Sequence, residues 1–174
     1  MRVAAAAFAA VALVGCGGAE RVQRPAAPAS SPDDAFVVRF YSHQQTGAEL
    51  IRAVAPRVRP KRLVTAMQEL RADTLQRLEP FRERAGSPEA LGNLGVSRDQ
   101  AAEDVTPTAL DGVRPLTPAF LATMVRHDQG AVALLRGQLE RGRDPGLKAF
   151  ARELLGLYTQ ELDRLNRAIA QQTA

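Results

Sequence analysis

The same residue pattern occurs in two segments of this chain, AFVVRFYSHQQTGAELIRAV at residues 35–54 and AFLATMVRHDQGAVALLRGQ at residues 119–138. Each begins with Ala-Phe, carries one histidine seven residues after that phenylalanine, and continues with glutamine, leucine and arginine at matching positions. Extending the ungapped comparison to 50 positions gives 13 identities, and the chain's two histidines, His43 and His127, coincide. Such a repeat indicates two copies of one supersecondary unit that share a core.

The first copy predicts a pair of helices. Apolar residues recur at intervals of three and four along residues 35–54, which is typical of a helix with one buried face, and His43 lies on that face. Pro56 and Pro60 end this helix. A second helix is predicted from about Lys61 to Ala85, with Pro80 kinking or shortening its last turn.

The second copy predicts another pair. Thr117-Pro118 is expected to cap a third helix, and Asp144-Pro145 marks a tight turn that starts a fourth. Residues 86–116, which join the two copies, are rich in glycine, proline and small polar residues. This connection is long for a compact domain, so we expect a crossover with a short helix after Ser97.

These elements predict an all-α fold. The alternation typical of strands is absent from the sequence. Two helical hairpins, residues 33–85 and 117–170, joined by the connection at 86–116, predict a single four-helix bundle domain over residues 33–170.

The N-terminus predicts export to the cell envelope. Met1-Arg2 is followed by an apolar run of 12 residues, too short for a bilayer, which needs about 20. The sequence LVGC, ending at Cys16, resembles the bacterial lipobox, whose cysteine becomes the lipidated first residue of the mature protein. The alternative is an ordinary secretory signal, but Cys16 is the only cysteine and lies where lipidation requires it. We therefore predict a signal peptide over residues 1–15, a flexible tether over 16–32, and a membrane anchor at Cys16.

Composition and motifs exclude several classes of function. The 23 basic and 19 acidic residues are interspersed, without aromatic interleaving or a nucleic-acid motif, so nucleic-acid binding is not expected. A di-iron enzyme needs glutamate three positions before each bundle histidine, where this chain has Phe40 and Met124. A Gly-x-Ser-x-Gly motif is also absent, and lipidation removes the only thiol. We therefore predict a protein that is not an enzyme.

The two histidines are candidate metal ligands. Neutral imidazole is the commonest protein metal ligand, and bundle interiors hold such sites. Met124 lies one turn before His127 on the same face and adds a thioether, which suits a soft ion such as copper. Asp128 is an outside candidate, because successive helical residues diverge by about 100°. The alternative is a structural pair, His43 and His127, bonded to Tyr158, a glutamine or the backbone.

Hairpin geometry predicts which side chains lie beside the histidines. In an antiparallel hairpin, residues equally far before and after the turn lie at the same level. This places Tyr158, Glu161 or Leu162 near His127, and Asp73, Thr74 and Arg77 near His43. If the first and third helices are neighbours, the two imidazoles approach each other at matching heights in the bundle.

The segment MVRHDQGAV at residues 124–132 resembles the signature of the family called domain of unknown function 305. Members typically read Met-Ile-x-His-His-x-x-Ala-Ile after a phenylalanine, here Phe120. Further matches follow at Leu139, Gly142, Leu147, Glu161 and Leu162. The resemblance covers most of residues 34–170. It implies a ferritin-like helical bundle, usually exported, with some members linked to copper or silver in the cell envelope.

The departures from that signature concern its metal ligands. Gln44 and Asp128 replace the second histidine of each copy, and Arg77 puts a cation where the family has glutamate. The resemblance and the residues together predict an exported lipoprotein that binds without catalysis, with copper as the candidate ion at His43, His127, Met124 and Asp128. The competing prediction is a metal-free helical scaffold that contacts another envelope protein.

Overall fold

The computed structural model describes residues 31–85 and 107–173, which form four long helices and one short 3₁₀ turn. The elements in chain order are α1 (Pro32–Val54), α2 (Lys61–Ala85), the 3₁₀ turn (Pro107–Leu110), α3 (Leu116–Arg141) and α4 (Pro145–Thr173). The described residues contain no strand, which confirms the all-α prediction. None of these helices is long and apolar enough to cross a membrane. Cys16, the tether at residues 17–30 and the helix predicted after Ser97 lie outside the described residues.

Local sequence explains most of the helix ends. At the start of α1, the Ser31 hydroxyl accepts a hydrogen bond from the Asp34 backbone N–H at 3.1 Å, and the Asp34 carboxylate accepts one from the Ser31 N–H at 3.0 Å. Asp144 caps α4 by accepting from the N–H of Leu147 at 2.9 Å, as predicted. The predicted cap at Thr117 is wrong, because α3 begins one residue earlier and has no side-chain cap. Helix α2 continues through Pro80 to its predicted end.

The helices pair as two hairpins that meet along α1 and α3. Helix α1 packs on α2, α3 packs on α4, and contacts of α1 with α3 and of α2 with α4 join the hairpins. Asp33 bonds to Gln138, whereas Gly47 lies against His127 further along, so α1 and α3 run antiparallel. This arrangement confirms the predicted four-helix bundle.

The core consists of two apolar clusters at opposite ends of the bundle. Each cluster draws residues from all four helices. The first is centred on Leu50, Met67, Phe120, Met124 and Leu165, and the second on Phe36, Phe40, Leu78, Leu135 and Leu154. On every helix, at least one buried polar residue lies between the buried apolar residues of the two clusters.

Candidate functional site: a buried polar layer

Eight polar side chains, two from each helix, fill the middle of the bundle and constitute what we name the polar layer. Its members are His43 and Gln44 of α1, Arg71 and Thr74 of α2, His127 and Asp128 of α3, and Tyr158 and Glu161 of α4. Even the most exposed member, His43, is only 8% exposed. Because burying polar groups without partners is costly, the bonds within this layer decide whether the bundle is stable.

The two histidines of the repeat meet at the centre of the layer. The rings of His43 and His127 are stacked, with centroids 3.8 Å apart and planes inclined by 4°. Nε2 of His43 lies 3.0 Å from the backbone carbonyl oxygen of His127. Since a carbonyl oxygen only accepts hydrogen bonds, this nitrogen carries the proton and donates. The predicted approach of the two imidazoles at matching heights is confirmed.

Two glycines allow the imidazoles to pack on the backbone of the opposite helix. A Cβ atom on Gly47 would lie 2.3 Å from Nε2 of His127, a distance that side-chain carbons do not tolerate. A Cβ atom on Gly130 would lie 3.1 Å from Cε1 of His43. Each ring therefore covers a glycine of the other helix, and Nε2 of His127 is buried without a hydrogen-bond partner.

The environment of His127 keeps its ring neutral. Burial lowers the pKa of His127 well below 6.5, and the nearby His43 and the charge of Arg71 lower it further. A neutral imidazole is compatible with the stacked arrangement, whereas a charged one would lie buried beside the Arg71 cation.

Arg71 is the largest fully buried side chain of the protein's described part and bonds to both acidic members of the layer. Its Nη2 donates to Oδ1 of Asp128 at 2.5 Å, and its Nη1 donates to Oε1 of Glu161 at 2.6 Å. The same Nη1 donates to the backbone carbonyl of Met67 at 3.0 Å. The guanidinium carbon lies 5.8 Å from the centre of the Tyr158 ring. One cation thus joins α2 to both helices of the other hairpin.

Burial and the neighbouring charges together raise the pKa values of Asp128, Arg71 and Tyr158. Burial raises the pKa of Asp128 well above 3.8; Arg71 opposes this shift, while the Glu161 carboxylate reinforces it. Burial alone would lower the pKa of Arg71, but Asp128 and Glu161 raise it, so the guanidinium stays charged. Burial also raises the pKa of the Tyr158 hydroxyl, which donates a hydrogen bond to Oε1 of Gln44.

Comparison with known proteins identifies the family. Residues 33–169 match the family described as Domain of unknown function (DUF305). The chain belongs to the DUF305 family. A crystal structure of a DUF305 fragment from Deinococcus radiodurans is similar at a TM-score of 0.62 and 21% sequence identity, covering 83% of this chain and 99% of that one. At this identity the likeness supports the fold alone. No curated protein is similar enough in sequence to count as a relative.

Within this DUF305 bundle, the four predicted metal ligands have other contacts. Asp128 is bonded to Arg71, and Nε2 of His43 donates to a backbone carbonyl. Met124 is fully buried in the first apolar cluster. Nε2 of His127 faces Gly47 without room for even a methyl group, whereas a metal–nitrogen bond requires about 2.0 Å for the ion alone. Among the described residues, no three His, Cys, Asp or Glu side chains are placed to share an ion. As packed, these residues do not fit a copper site, which stays a prediction.

Sequence reasoning missed Arg71, the residue that organises the layer. It predicted Arg77 as the cation near the histidines, but the Arg77 side chain is 35% exposed and bonds to Glu153 at the surface. The signal for Arg71 was its spacing: with Thr74 it continues the buried stripe of α2, which reads Val64, Met67, Arg71, Thr74 and Leu78. The predicted neighbours Tyr158, Glu161 and Thr74 do belong to the layer.

Proposed function

We propose that this DUF305 protein is an exported, lipid-anchored helical module that acts without catalysis and without a metal ion, through contacts with another protein of the cell envelope. The observation that carries the proposal is the bonding of Arg71 to Asp128 and Glu161. The carboxyl groups that a metal ion would require are already bonded to a cation of the chain itself.

Metal binding requires donor atoms that are free of protons and of competing partners. In the polar layer both carboxylates bond to a guanidinium, and the Nε2 proton of His43 is held by a carbonyl oxygen. A metal ion would also be placed close to the Arg71 charge, which would repel it. These features favour a closed core over an ion site.

The burial of the layer supports a role without catalysis. No layer residue is more than 8% exposed, so a substrate could not reach the ionisable groups without opening the bundle. Contacts with other molecules would therefore be made by the outer faces of the helices, and the anchor predicted at Cys16 would hold those faces near a membrane.

Copper binding is the second candidate function, and one observation favours it. Nε2 of His127 is buried, neutral and without a hydrogen-bond partner, as expected of a metal-binding nitrogen. Met124 and His43 would complete a soft set of ligands, with Asp128 as a further candidate. Access of the ion would require the His127 ring to move away from Gly47.

Titration of the purified protein with Cu(I) and Cu(II) separates the two functions. Wild type, His43→Ala and His127→Ala are compared for bound metal and for melting temperature. We expect no metal-dependent rise in the melting temperature of wild type, whereas an ion at 100 times its dissociation constant would add about 2.7 kcal/mol. Uptake of one copper by wild type that both variants lose would establish the second candidate and overturn the first.

The anchor and the envelope contact are tested in cells. Cys16→Ser should move the protein from the membrane fraction to the soluble fraction, because the thiol is the site of lipidation. Photo-cross-linking from exposed positions on α2 and α4 should give a discrete adduct with one envelope protein. Retention of Cys16→Ser in the membrane, or the absence of any adduct, would contradict the corresponding part of the proposal.

A further inference from the structure

The carboxylates of Asp128 and Glu161 converge on one buried point between α3 and α4. Asp128 is fully buried and Glu161 is 3% exposed, and both lie within 2.6 Å of the same guanidinium. The second oxygen of Asp128, Oδ2, is buried with no donor. Two buried carboxylates from different helices form an acidic pocket that needs a cation, because an uncompensated buried negative charge is very costly.

The cation in this pocket comes from the other hairpin. Arg71 extends from α2 and binds through its two terminal nitrogens, while its Nε has no hydrogen-bond partner. The Tyr158 ring, 5.8 Å from the guanidinium carbon, forms another wall of the pocket and attracts the cation through its π face. These contacts of the Arg71 head group therefore involve its planar end.

We propose that Asp128, Glu161 and Tyr158 form a cation-binding site in the α3–α4 hairpin, which Arg71 of the α1–α2 hairpin occupies as a tethered ligand. The chemical class of the ligand is a planar guanidinium, whose two N–H edges match two carboxylates in a way that a lysine ammonium does not. Binding of Arg71 at this site is then the buried polar contact that holds one hairpin against the other.

The proposal predicts that free guanidinium can replace the missing side chain in Arg71→Ala. The matched control is Arg77→Ala, because Arg77 also bonds one hairpin to the other, through Glu153 at 2.9 and 2.6 Å, but does so at the surface. Removing Arg77 exposes its partners to water and leaves no enclosed pocket. Urea, a neutral molecule of similar planar shape, serves as the control for charge.

The experiment measures melting temperatures at low millimolar guanidinium, urea and sodium chloride. Guanidinium should raise the melting temperature of Arg71→Ala by about 3 °C or more, and should not raise that of wild type or of Arg77→Ala. A third variant, Arg71→Ala with Asp128→Asn and Glu161→Gln, has no acidic pocket and should show no rise.

Each alternative outcome has a definite meaning. If Arg71→Ala is unfolded when purified, the measured quantity is the recovery of helical signal on adding guanidinium, and the triple variant should fold without it. Failure of guanidinium to stabilise or refold Arg71→Ala contradicts the proposal, as does an equal effect of urea or an equal response of the triple variant. These results do not depend on the copper titration of wild type, so the site and the metal-free function can fail separately.

Discussion

Gly47 of α1 lies against the His127 ring of α3 so closely that a single added carbon would lie 2.3 Å from the ring nitrogen. Its counterpart is Gly130, which lies under His43. Under the offset of 84 residues that relates the two copies, Gly47 aligns with Ala131 and Gly130 with Thr46. In both copies a glycine makes room for the imidazole of the other copy, but the two glycines are at neighbouring rather than equivalent positions of the repeat.

Gly47→Ala should destabilise the bundle by about 1–3 kcal/mol, because the new methyl group overpacks a site fixed between two helices. The matched control is Gly156→Ala on α4, where a Cβ atom has no neighbour within 4 Å. There, alanine should add about 0.5–1 kcal/mol, because glycine is unfavourable inside a helix. Urea unfolding of both variants measures the difference, and equal changes would contradict the packing described here.

Acid should weaken the bundle through His127. Its pKa is lowered in the folded state relative to 6.5, so below that pH the unfolded chain binds a proton that the folded protein excludes. The free energy of unfolding is therefore expected to fall as the pH drops from about 6.5 towards the lowered pKa. His127→Gln removes this contribution and should lose less stability than wild type between about pH 7 and pH 5. Parallel losses in urea unfolding would indicate that His127 is not the group involved.

Asp128 should have the opposite effect to His127: it should make the folded protein less stable as the pH rises. Its pKa is raised in the folded state relative to 3.8, so the folded protein keeps a proton that the unfolded chain releases. The contribution of Asp128 to the free energy of unfolding is fully present below pH 3.8 and is lost as the pH rises through the raised pKa of the folded protein. Asp128→Asn should therefore gain stability relative to wild type as the pH rises above about 4. Asp163→Asn, at an exposed position of α4, is the control for removing a surface carboxylate.

The Asp33 carboxylate should contribute more to the stability of the folded protein than the neighbouring Asp34 carboxylate. The Asp33 carboxylate accepts hydrogen bonds from Nε2 of Gln138 at 2.6 Å and from the backbone N–H groups of Arg143 and Asp144 at 3.0 and 3.2 Å. It thus fixes the start of α1 to the turn between α3 and α4. Asp33→Ala should cost about 2–3 kcal/mol, against about 1 kcal/mol for Asp34→Ala, which removes the acceptor of the Ser31 N–H in the capping box.

Hydrogen exchange provides the specific measurement for Asp33. In Asp33→Ala the amides of Arg143 and Asp144 should exchange faster, because they lose their acceptor, while Asp34→Ala should leave them protected. Unchanged exchange at both amides would mean that the carboxylate does not hold the turn.

The sequence predicted those features that depend on periodicity. The repeat and the spacing of three and four placed His43 and His127 on buried faces, and capping chemistry located the start of α4. Counting equal distances on either side of the hairpin turn placed Tyr158 and Glu161 at the level of the histidines, because antiparallel helices have the same rise per residue.

What could not be predicted depends on contacts between the hairpins. The spacing of the buried stripe on α2 favours Arg71 over Arg77. Its bonds to Asp128 and Glu161, however, follow only from the packing of α2 on the second hairpin. The contact of Gly47 with Nε2 of His127 depends on how closely α1 approaches α3. The sequence of neither helix alone determines that distance. The bonds of Asp33 to the distant turn were missed for the same reason.

The polar layer depends on the charge of Arg71, and the stabilities of two variants measure this dependence. Arg71→Met leaves two buried carboxylates without their cation and should cost about 3–5 kcal/mol in urea unfolding at neutral pH. Adding Asp128→Asn and Glu161→Gln removes the uncompensated charges and should restore most of that loss. If the triple variant is as unstable as Arg71→Met alone, the Arg71 guanidinium does not compensate the buried carboxyl groups of the layer.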